Sequence, residues 1–255
     1  MFSELLIDSE DKNVTNFADY RKSINDRHII HTLGYKPTKK AVESKNDIKT
    51  TDCVLTPRYV QLMNKCASRY LLAGQSFCGK STIIGMIMRS YKQQYPKNNI
   101  FLFSPVEDDP AFDKYKPIRI TLDESLIDDP IQLHELSNSL CVFDDVDNED
   151  DEEVCRAVCK LRDRLMGKGR HDSIACISSD QLLFKGKQSV KSILGANYIV
   201  LFPVASIAQT EQFLKDKLRL PKNTIDKICS LRTRWIMVHR NTPMYVLYEN
   251  GFFFI

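Results

Sequence analysis

A glycine-rich segment carries the residues with the clearest chemistry. From Gly74 to Ser81 the chain reads Gly-Gln-Ser-Phe-Cys-Gly-Lys-Ser, which matches the phosphate-binding pattern G-x-x-x-x-G-K-[ST]. Glycine permits backbone angles that turn successive N–H groups toward phosphate oxygens, and a following helix presents its positive end. We therefore predict a nucleotide-binding loop made of Gly74, Gln75, Ser76, Phe77, Cys78, Gly79, Lys80, Ser81 and Thr82.

Two residues of this loop have distinct expected roles. Lys80 would reach the β and γ phosphates of ATP, and the Ser81 hydroxyl would be a ligand of Mg²⁺. The motif requires a buried strand before the loop and a helix after it. Tyr70 to Ala73 is a short apolar run, and the residues after Thr82 place apolar side chains on one helical face. The alternative is a glycine turn that contains a lysine by chance.

A second apolar run ends in a pair of carboxylates. Leu140 to Phe143 reads as a buried strand, and Asp144 and Asp145 follow it. We expect this strand to lie beside the loop strand, which places Asp144 to hold Mg²⁺ and Asp145 to act as the general base for the attacking water. The alternative is that the two residues merely begin the acidic stretch that continues to Glu153.

A polar residue follows a third predicted strand. Ser173 to Ser178 is apolar and short, and Asp180 and Gln181 come after it. We expect this strand to lie beside the loop strand, so that Gln181 contacts the γ-phosphate or orders the lytic water. A glutamine in an ordinary turn is the alternative.

A charged helix is predicted between these two strands. Asp151 to Met166 begins with acidic residues and ends near Arg162, Arg164 and Lys168, which complements the helix dipole. This arrangement is typical of a solvated helix face.

These elements must position the site, and their order predicts an α/β fold. Strands that alternate with helices favour a mostly parallel central sheet flanked by helices, with the ligand beyond the carboxyl ends of the strands. Near the C-terminus, Trp235 to His239 and Met244 to Tyr248 read as an antiparallel hairpin. We expect this hairpin to extend the sheet.

Composition adds few constraints. The net charge of +3 does not by itself indicate a nucleic-acid partner. The eight cysteines lack paired C-x-x-C spacing, which favours a reducing compartment over a zinc site. We predict no signal peptide and no membrane span.

Two basic segments stand out. Residues 21–49 hold eight Lys or Arg against three Asp or Glu, and we divide the chain into a basic, partly ordered N-terminal arm over 1–52 and the phosphate-loop domain over 53–255. The arm contacts DNA, clasps a subunit, or is a terminal extension with little order. A lysine-rich connection from Leu182 to Ser192 either follows a DNA backbone or is simply exposed.

The order of these motifs resembles the viral genome-packaging ATPases of the FtsK/HerA superfamily, a type encoded by poxviruses, other large DNA viruses and virophages. The similarity covers about Tyr70 to Pro203, within the ASCE/RecA-like class of P-loop NTPases. It is carried by the loop, by Phe143-Asp144-Asp145, by Gly169-Arg170-His171, by Gln181 and by Asn197.

The resemblance implies an ATP- and Mg²⁺-dependent motor that assembles as a homo-oligomeric ring. Such a motor pushes double-stranded DNA into a viral capsid, at a portal vertex, in the cytoplasmic viral factory or in the virion. In such rings an arginine of the neighbouring subunit stabilises transition-state charge, and Arg170 is our candidate. Relatives often place an arginine shortly before the position of Asn197, but this chain has Gly195 and Ala196 there.

Two other functions fit the phosphate loop. A nucleotide or nucleoside kinase would transfer the phosphoryl group to a small acceptor, although paired carboxylates at a strand end fit water activation better. A nucleotide-binding virion scaffold would bind ATP without turnover. Intact Lys80, Ser81, Asp144 and Asp145 argue against a site that has lost catalysis.

Overall fold

A computed structural model of the chain describes residues 5–8, 29–32, 67–181, 186–241 and 244–255. The predicted boundary between arm and domain, at residue 52, lies outside the described residues, as does most of the arm itself. Two short segments of the arm form an antiparallel pair of strands, β1 (Leu5–Asp8) and β2 (Ile29–Thr32).

The remaining described strands form one nine-stranded sheet. They are β3 (Arg69–Ala73), β4 (Ile100–Phe103), β5 (Ile118–Ile120), β6 (Leu140–Asp144), β7 (Ala175–Asp180), β8 (Tyr198–Leu201), β9 (Ile236–His239), β10 (Tyr245–Tyr248) and β11 (Gly251–Phe254).

The described helices follow the alternating pattern that the sequence predicts. They are α1 (Lys80–Gln94), α2 (Pro110–Asp113), α3 (Ser125–Asp128), α4 (Glu152–Lys168), α5 (Gly186–Gly195), α6 (Ile207–Asp216) and α7 (Lys222–Cys229), with short 3-10 helices at Leu133–Leu136, Val146–Asn148 and Gly169–Asp172.

The strand order across the sheet is β11-β10-β9-β8-β3-β7-β6-β4-β5. From β8 to β5 all neighbours are parallel, whereas β9, β10 and β11 are antiparallel to their neighbours. The mostly parallel sheet and the C-terminal antiparallel hairpin are therefore confirmed. Parallel strands end at the same edge of the sheet, so the loop after β3 and the residues after β6 and β7 share that edge.

One expectation about strand order is wrong. The strand that carries Asp144 does not lie beside the loop strand, because β7 is inserted between β6 and β3. The expectation that the strand before Gln181 is a neighbour of the loop strand is correct. That strand extends further than predicted, so Asp180 is its last residue rather than part of the following turn.

Apolar side chains pack on both faces of the sheet. Successive residues of β6 alternate between the two faces, as the period of two requires: Leu140 and Val142 belong to one core, and Cys141 and Phe143 to the other. The first core is covered by α1, which buries Ile83, Ile84, Ile87, Met88 and Tyr91. The second is covered by α4 to α7.

The lysine-rich connection differs from its prediction as a loop. Residues 182–185 lie outside the described residues, and Gly186–Gly195 forms α5. Across the described ranges no helix is both long enough and apolar enough to cross a bilayer.

Candidate active site

The loop between β3 and α1 depends on glycine at two positions. Gly79, which immediately precedes α1, has φ 107°, a left-handed angle that glycine adopts without steric cost. A Cβ added to Gly74 would lie 2.7 Å from both Cys78 Sγ and Phe202 Cδ2. A side chain at Gly74 would therefore require Cys78, Phe202 or the loop itself to move. Sequence reasoning did not identify Phe202, which supports the loop from the end of β8.

The amino end of α1 is suited to an anion. Its first turn contains no acidic residue, and no side chain caps it. Gln75, Ser76 and Phe77 are exposed, and Ser81 is half-buried in the first turn. Free backbone N–H groups and the helix dipole both favour negative charge at such an end.

Lys80 lies between the loop and the pair of carboxylates that follows β6. Its buried Nζ donates to the carbonyl oxygens of Gly74 at 2.8 Å and Gln75 at 3.4 Å. The same nitrogen lies 4.0 Å from Asp145 Oδ1. One ammonium therefore contacts both segments that the sequence assigns to phosphate binding and hydrolysis.

Asp145 is held between neighbouring strands. Its backbone has φ 48°, in the left-handed region that aspartate tolerates better than most residues, and its N–H donates to the Ser179 carbonyl at 3.1 Å. Gln181 Nε2 donates to Asp145 Oδ2 at 3.3 Å. The other oxygen, Oδ1, is buried and accepts no hydrogen bond from the described residues. Asp145 thus has one oxygen fixed by an amide and one that faces Lys80.

Asp144 has the properties expected of a metal ligand. Burial raises the pKa of its carboxyl to about 6, the charges of Asp145 and Asp109 add to the increase, and Ser179 and Lys80 oppose it. A cation at this point would offset the cost of the buried negative charge. Mg²⁺ typically takes one or two protein oxygens together with substrate phosphates, so Asp144 and Ser81 fit this ion without a larger cluster.

The structure reveals a buried charge network that the sequence analysis missed. Arg162 was interpreted as part of a solvated helix face, but its side chain is 1% exposed. Its Nη1 donates to Asp147 Oδ1 at 3.2 Å and to Asp180 Oδ1 at 3.4 Å, and its Nε lies 3.9 Å from Asp163 Oδ1. Charge counts do not show this network, because two of the three carboxylates come from other segments.

Arg170 does not join the other candidates within one chain. Arg170 is exposed and lies in the 3-10 helix before the amino end of β7. The phosphate loop follows the carboxyl end of β3, and β3 and β7 are parallel, so the two lie at opposite edges of the sheet. Burial and the charge of Arg170 lower the pKa of Arg69, the first residue of β3. Arg170 therefore lies near the edge of the sheet opposite to Lys80, away from the loop of its own chain.

Cys155 and Cys159 each make a polar contact within the chain. Cys155 Sγ lies 3.6 Å from the Val146 carbonyl, and Cys159 Sγ lies 3.1 Å from Asp147 Oδ1. Within the described part of the chain, no group of three or more His, Cys, Asp or Glu residues is arranged to hold a metal ion.

The fold and the site together define a class. A glycine loop leads from a central strand into a helix that begins with lysine, and a strand ending in a carboxylate is separated from the loop strand by one other strand. This is the arrangement of a P-loop NTPase of the ASCE/RecA-like type, the class that the resemblance implies, although the sequence analysis placed these two strands side by side.

Comparison with known proteins gives a family as well as a fold. No protein-family model matches the sequence. The uncharacterised protein V3 of the Sputnik virophage is 31% identical over 182 residues, which cover 71% of this chain and 74% of V3. The chain belongs to the family of this virophage protein.

Solved structures with the same fold come from a viral packaging protein. They are structures of the genome packaging NTPase B204 from Sulfolobus turreted icosahedral virus 2. The complex with sulfate has a TM-score of 0.52 at 12% identity and covers 74% of this chain and 98% of B204. The complex with AMP has a TM-score of 0.51 at 12% identity, with 73% and 98% covered. The predicted resemblance to viral genome-packaging ATPases is confirmed at the level of the fold, which is what a likeness at 12% identity shows.

Proposed function

We propose that this protein is a Mg²⁺-dependent ATPase that moves double-stranded DNA into a viral capsid as a homo-oligomeric ring. The proposal that the protein hydrolyses ATP rests on the contacts of the two carboxylate oxygens of Asp145. Gln181 holds Oδ2 at 3.3 Å, and Oδ1 lies 4.0 Å from the phosphate-binding Lys80 without a hydrogen bond from the described residues. A carboxylate oriented in this way beside a phosphate site can accept a proton from water.

Different residues of the chain have different proposed roles in hydrolysis. Backbone N–H groups of the loop and the amino end of α1 bind the phosphates of ATP. When phosphate is bound, Lys80 turns from the Gly74 and Gln75 carbonyls toward the β and γ oxygens. Asp145 then takes the proton of the water that attacks the γ-phosphate, while Gln181 fixes the carboxylate or contacts that phosphate.

Asp144 and Ser81 are the proposed protein ligands of Mg²⁺. The ion would supply positive charge that offsets the negative charge of the ATP phosphates. Burial of Asp144 beside Asp145 and Asp109 supports the assignment, because a carboxylate in this surrounding is stabilised by a cation.

The proposal of DNA packaging is supported by the relatives of this chain rather than by the geometry of the site. The family member V3 is a virophage protein, and B204, which shares the fold, is named as a genome packaging NTPase. These relatives support a role in a viral factory in the host cytoplasm or in the virion, with double-stranded DNA and a capsid or portal vertex as partners. In the ring, Arg170 of each subunit would complete the site of its neighbour; this fits its place before β7, at the edge of the sheet opposite to the loop of its own chain.

The first test is phosphate release from ATP by the purified protein, with and without long double-stranded DNA and at two salt concentrations. We expect Mg²⁺-dependent hydrolysis that DNA stimulates, and stimulation that weakens as salt rises because phosphate-backbone contacts release counterions. The Lys80→Ala variant should show little nucleotide binding and no hydrolysis above background.

Each outcome has a separate meaning. Hydrolysis that does not respond to DNA would contradict the proposed translocation, but the proposal of an ATPase would stand. Phosphate transfer to an added nucleoside would favour the kinase, and assembly on ATP without phosphate release would favour the scaffold. Mass measurement of the assembly with a non-hydrolysable ATP analogue tests the ring, because a protein that stays monomeric contradicts it.

A further inference from the structure

Arg162 is a fully buried cation in the middle of α4. Its side chain is 1% exposed, a burial that arginine shows rarely and only when it is paired. The contacts of Nη1 are with two carboxylates that belong to different parts of the chain: Asp147 Oδ1 at 3.2 Å and Asp180 Oδ1 at 3.4 Å. One nitrogen therefore joins the segment after β6 to the end of β7.

Both segments carry residues assigned to hydrolysis. Asp147 lies in the 3-10 helix Val146–Asn148, which begins immediately after Asp145. Asp180 is the last residue of β7, and Gln181 follows it directly. A displacement of either carboxylate would move the adjacent reacting residue, because only one or two peptide units separate them.

The network is more constrained than a single ion pair. The Ser178 hydroxyl donates to Asp180 Oδ1 at 3.2 Å, and Cys159 Sγ approaches Asp147 Oδ1 at 3.1 Å. Burial raises the pKa of Asp180 to about 6, and Arg162 acts against this shift by favouring the carboxylate. Arg162 and the Ser178 hydroxyl therefore both favour the charged form of this buried carboxyl, which Arg162 also contacts directly.

We propose that Arg162 is a positioning residue for ATP hydrolysis, acting through Asp147 and Asp180 to hold Asp145 and Gln181 in contact. This role rests on the proposed ATPase function. Buried ion pairs contribute little net stability compared with apolar side chains of similar size, because desolvation offsets their attraction. They do fix geometry, and the planar guanidinium of arginine bonds in set directions.

The chain offers a matched control for this role. Asp163 also lies near Arg162, at 3.9 Å from Nε, but both residues belong to α4. Loss of Asp163 removes a negative charge from the arginine without freeing either reacting segment. Loss of Asp147 removes a similar charge and does free the segment that follows β6.

The experiment compares Asp147→Ala with Asp163→Ala in the full-length chain. We expect Asp147→Ala to lower kcat by about tenfold to a hundredfold, since small misplacements of reacting groups have effects of this size. ATP affinity should stay within about twofold of wild type, because Lys80 and the loop are unchanged. Asp163→Ala should keep kcat within about twofold, and Asp147→Asn, which retains an acceptor oxygen, should recover part of the loss.

A purely structural role would give a different pattern. It would lower the melting temperature and the fraction of chains that bind nucleotide, while kcat per nucleotide-binding chain stayed constant. Combining Asp147→Ala with Gln181→Ala adds a second test: if Asp147 acts through this site, the double variant loses less than the product of the single losses.

The outcomes separate this role from the proposed function. Wild-type protein that does not hydrolyse ATP overturns the ATPase and the role with it. Wild-type hydrolysis with equal kcat for Asp147→Ala and Asp163→Ala overturns the positioning role alone. Direct substitution by Arg162→Met is informative where the variant folds, and it should then match or exceed the effect of Asp147→Ala; a folded Arg162→Met with wild-type kcat overturns the proposal.

Discussion

Gln181 and Asp145 meet across two neighbouring strands, with Gln181 Nε2 donating to Asp145 Oδ2 at 3.3 Å. Each residue directly follows the last residue of its strand, and β6 and β7 are paired in parallel with Asp144 opposite Ser179. The register of the sheet therefore brings a carboxylate and an amide together beside Lys80. Their contact gives a physical basis for treating them as one unit in catalysis.

Substitution of Asp145 by asparagine should separate binding from hydrolysis. Asparagine has a similar shape and tolerates the left-handed backbone at this position, so the loop should keep its conformation. It cannot act as a base, and we expect kcat to fall by about 10²- to 10⁴-fold with ATP affinity retained. Phosphate release and nucleotide titration measure the two effects.

An exposed carboxylate provides the control for that experiment. Asp150 lies in the acidic stretch after the motif, and Asp150→Asn should retain wild-type hydrolysis. If Asp145→Asn and Asp150→Asn were equally active, Asp145 would belong to an ordinary acidic loop, which is the alternative that the sequence left open.

The parts of the site that the sequence predicts correctly depend on local patterns. The loop, the helix after it and the strand that ends in Asp144 each occupy a continuous segment, so residue types and periodicity are sufficient. The order of parallel strands is different, because their partners are distant in the chain and the crossover helices leave several orders open. The insertion of β7 between β3 and β6 could therefore not be read from β6 itself.

The burial of Arg162 is a second feature that the sequence analysis did not predict. Near Arg164 and Lys168 it reads as part of a charged helix end, and its actual burial depends on Asp147 and Asp180 reaching it from other segments. A signal was present in the sequence, since Arg162 occupies the same helical face as the apolar Val158 and Leu165. The paired carboxylates that make its burial possible appear only in three dimensions.

Alanine at Gly74 should disturb the loop. A Cβ there would lie 2.7 Å from Cys78 Sγ and from Phe202 Cδ2, so the loop or the ring must move. We expect a loss of about 1–3 kcal/mol in the free energy of unfolding, together with weaker nucleotide binding. Denaturant unfolding and nucleotide titration test both effects. The double variant Gly74→Ala, Cys78→Ala should recover part of the loss, because one of the two contacts is relieved.

Gly167 is a matched control for the same substitution. It lies in the last turn of α4, and a Cβ there would meet nothing within 4 Å. Alanine is favoured over glycine in a helix by about 1 kcal/mol, so Gly167→Ala should keep or slightly raise stability. Equal destabilisation by the two variants would contradict a close-packed loop at Gly74.

Asp144 should make the stability of the metal-free protein depend on pH. Its pKa in the folded chain is about 6, against 3.8 for an ordinary aspartate, so the folded state favours the protonated form. The stability contributed by this carboxyl is present below about pH 4 and is lost as pH rises through about pH 6. Asp144→Asn removes the titration, so in EDTA its melting temperature should exceed that of wild type at pH 7 to 8.

The size of this difference has an upper limit. A shift of one pKa unit corresponds to about 1.4 kcal/mol, so the gain at neutral pH should not exceed about 3 kcal/mol, and it should vanish near pH 4. Mg²⁺ with a non-hydrolysable ATP analogue should stabilise wild type more than Asp144→Asn. If Asp144→Asn were less stable than wild type at pH 8 in EDTA, this would contradict the conclusion that burial of the charged Asp144 destabilises the metal-free protein.

Arg170 should act between subunits. It is exposed at the edge of the sheet opposite to Lys80, so Arg170→Ala should leave ATP binding intact and lower hydrolysis by the proposed ring. Loss of an arginine that stabilises transition-state charge costs about 10³-fold or more in kcat. The exposed neighbour Lys168 gives the control, and Lys168→Ala should remain active.

Mixing two inactive variants tests the direction of this contact. An Arg170→Ala subunit keeps its own Asp145, and an Asp145→Asn subunit can still supply Arg170 to the site next to it. In a head-to-tail ring formed from equal amounts of the two, about a quarter of the interfaces combine both intact residues, so activity should return to a fraction of that order. Because each variant alone lacks one half of every site, recovery requires contact across the interface. Hydrolysis that stays at background at every mixing ratio would show that Arg170 does not act on a neighbouring site.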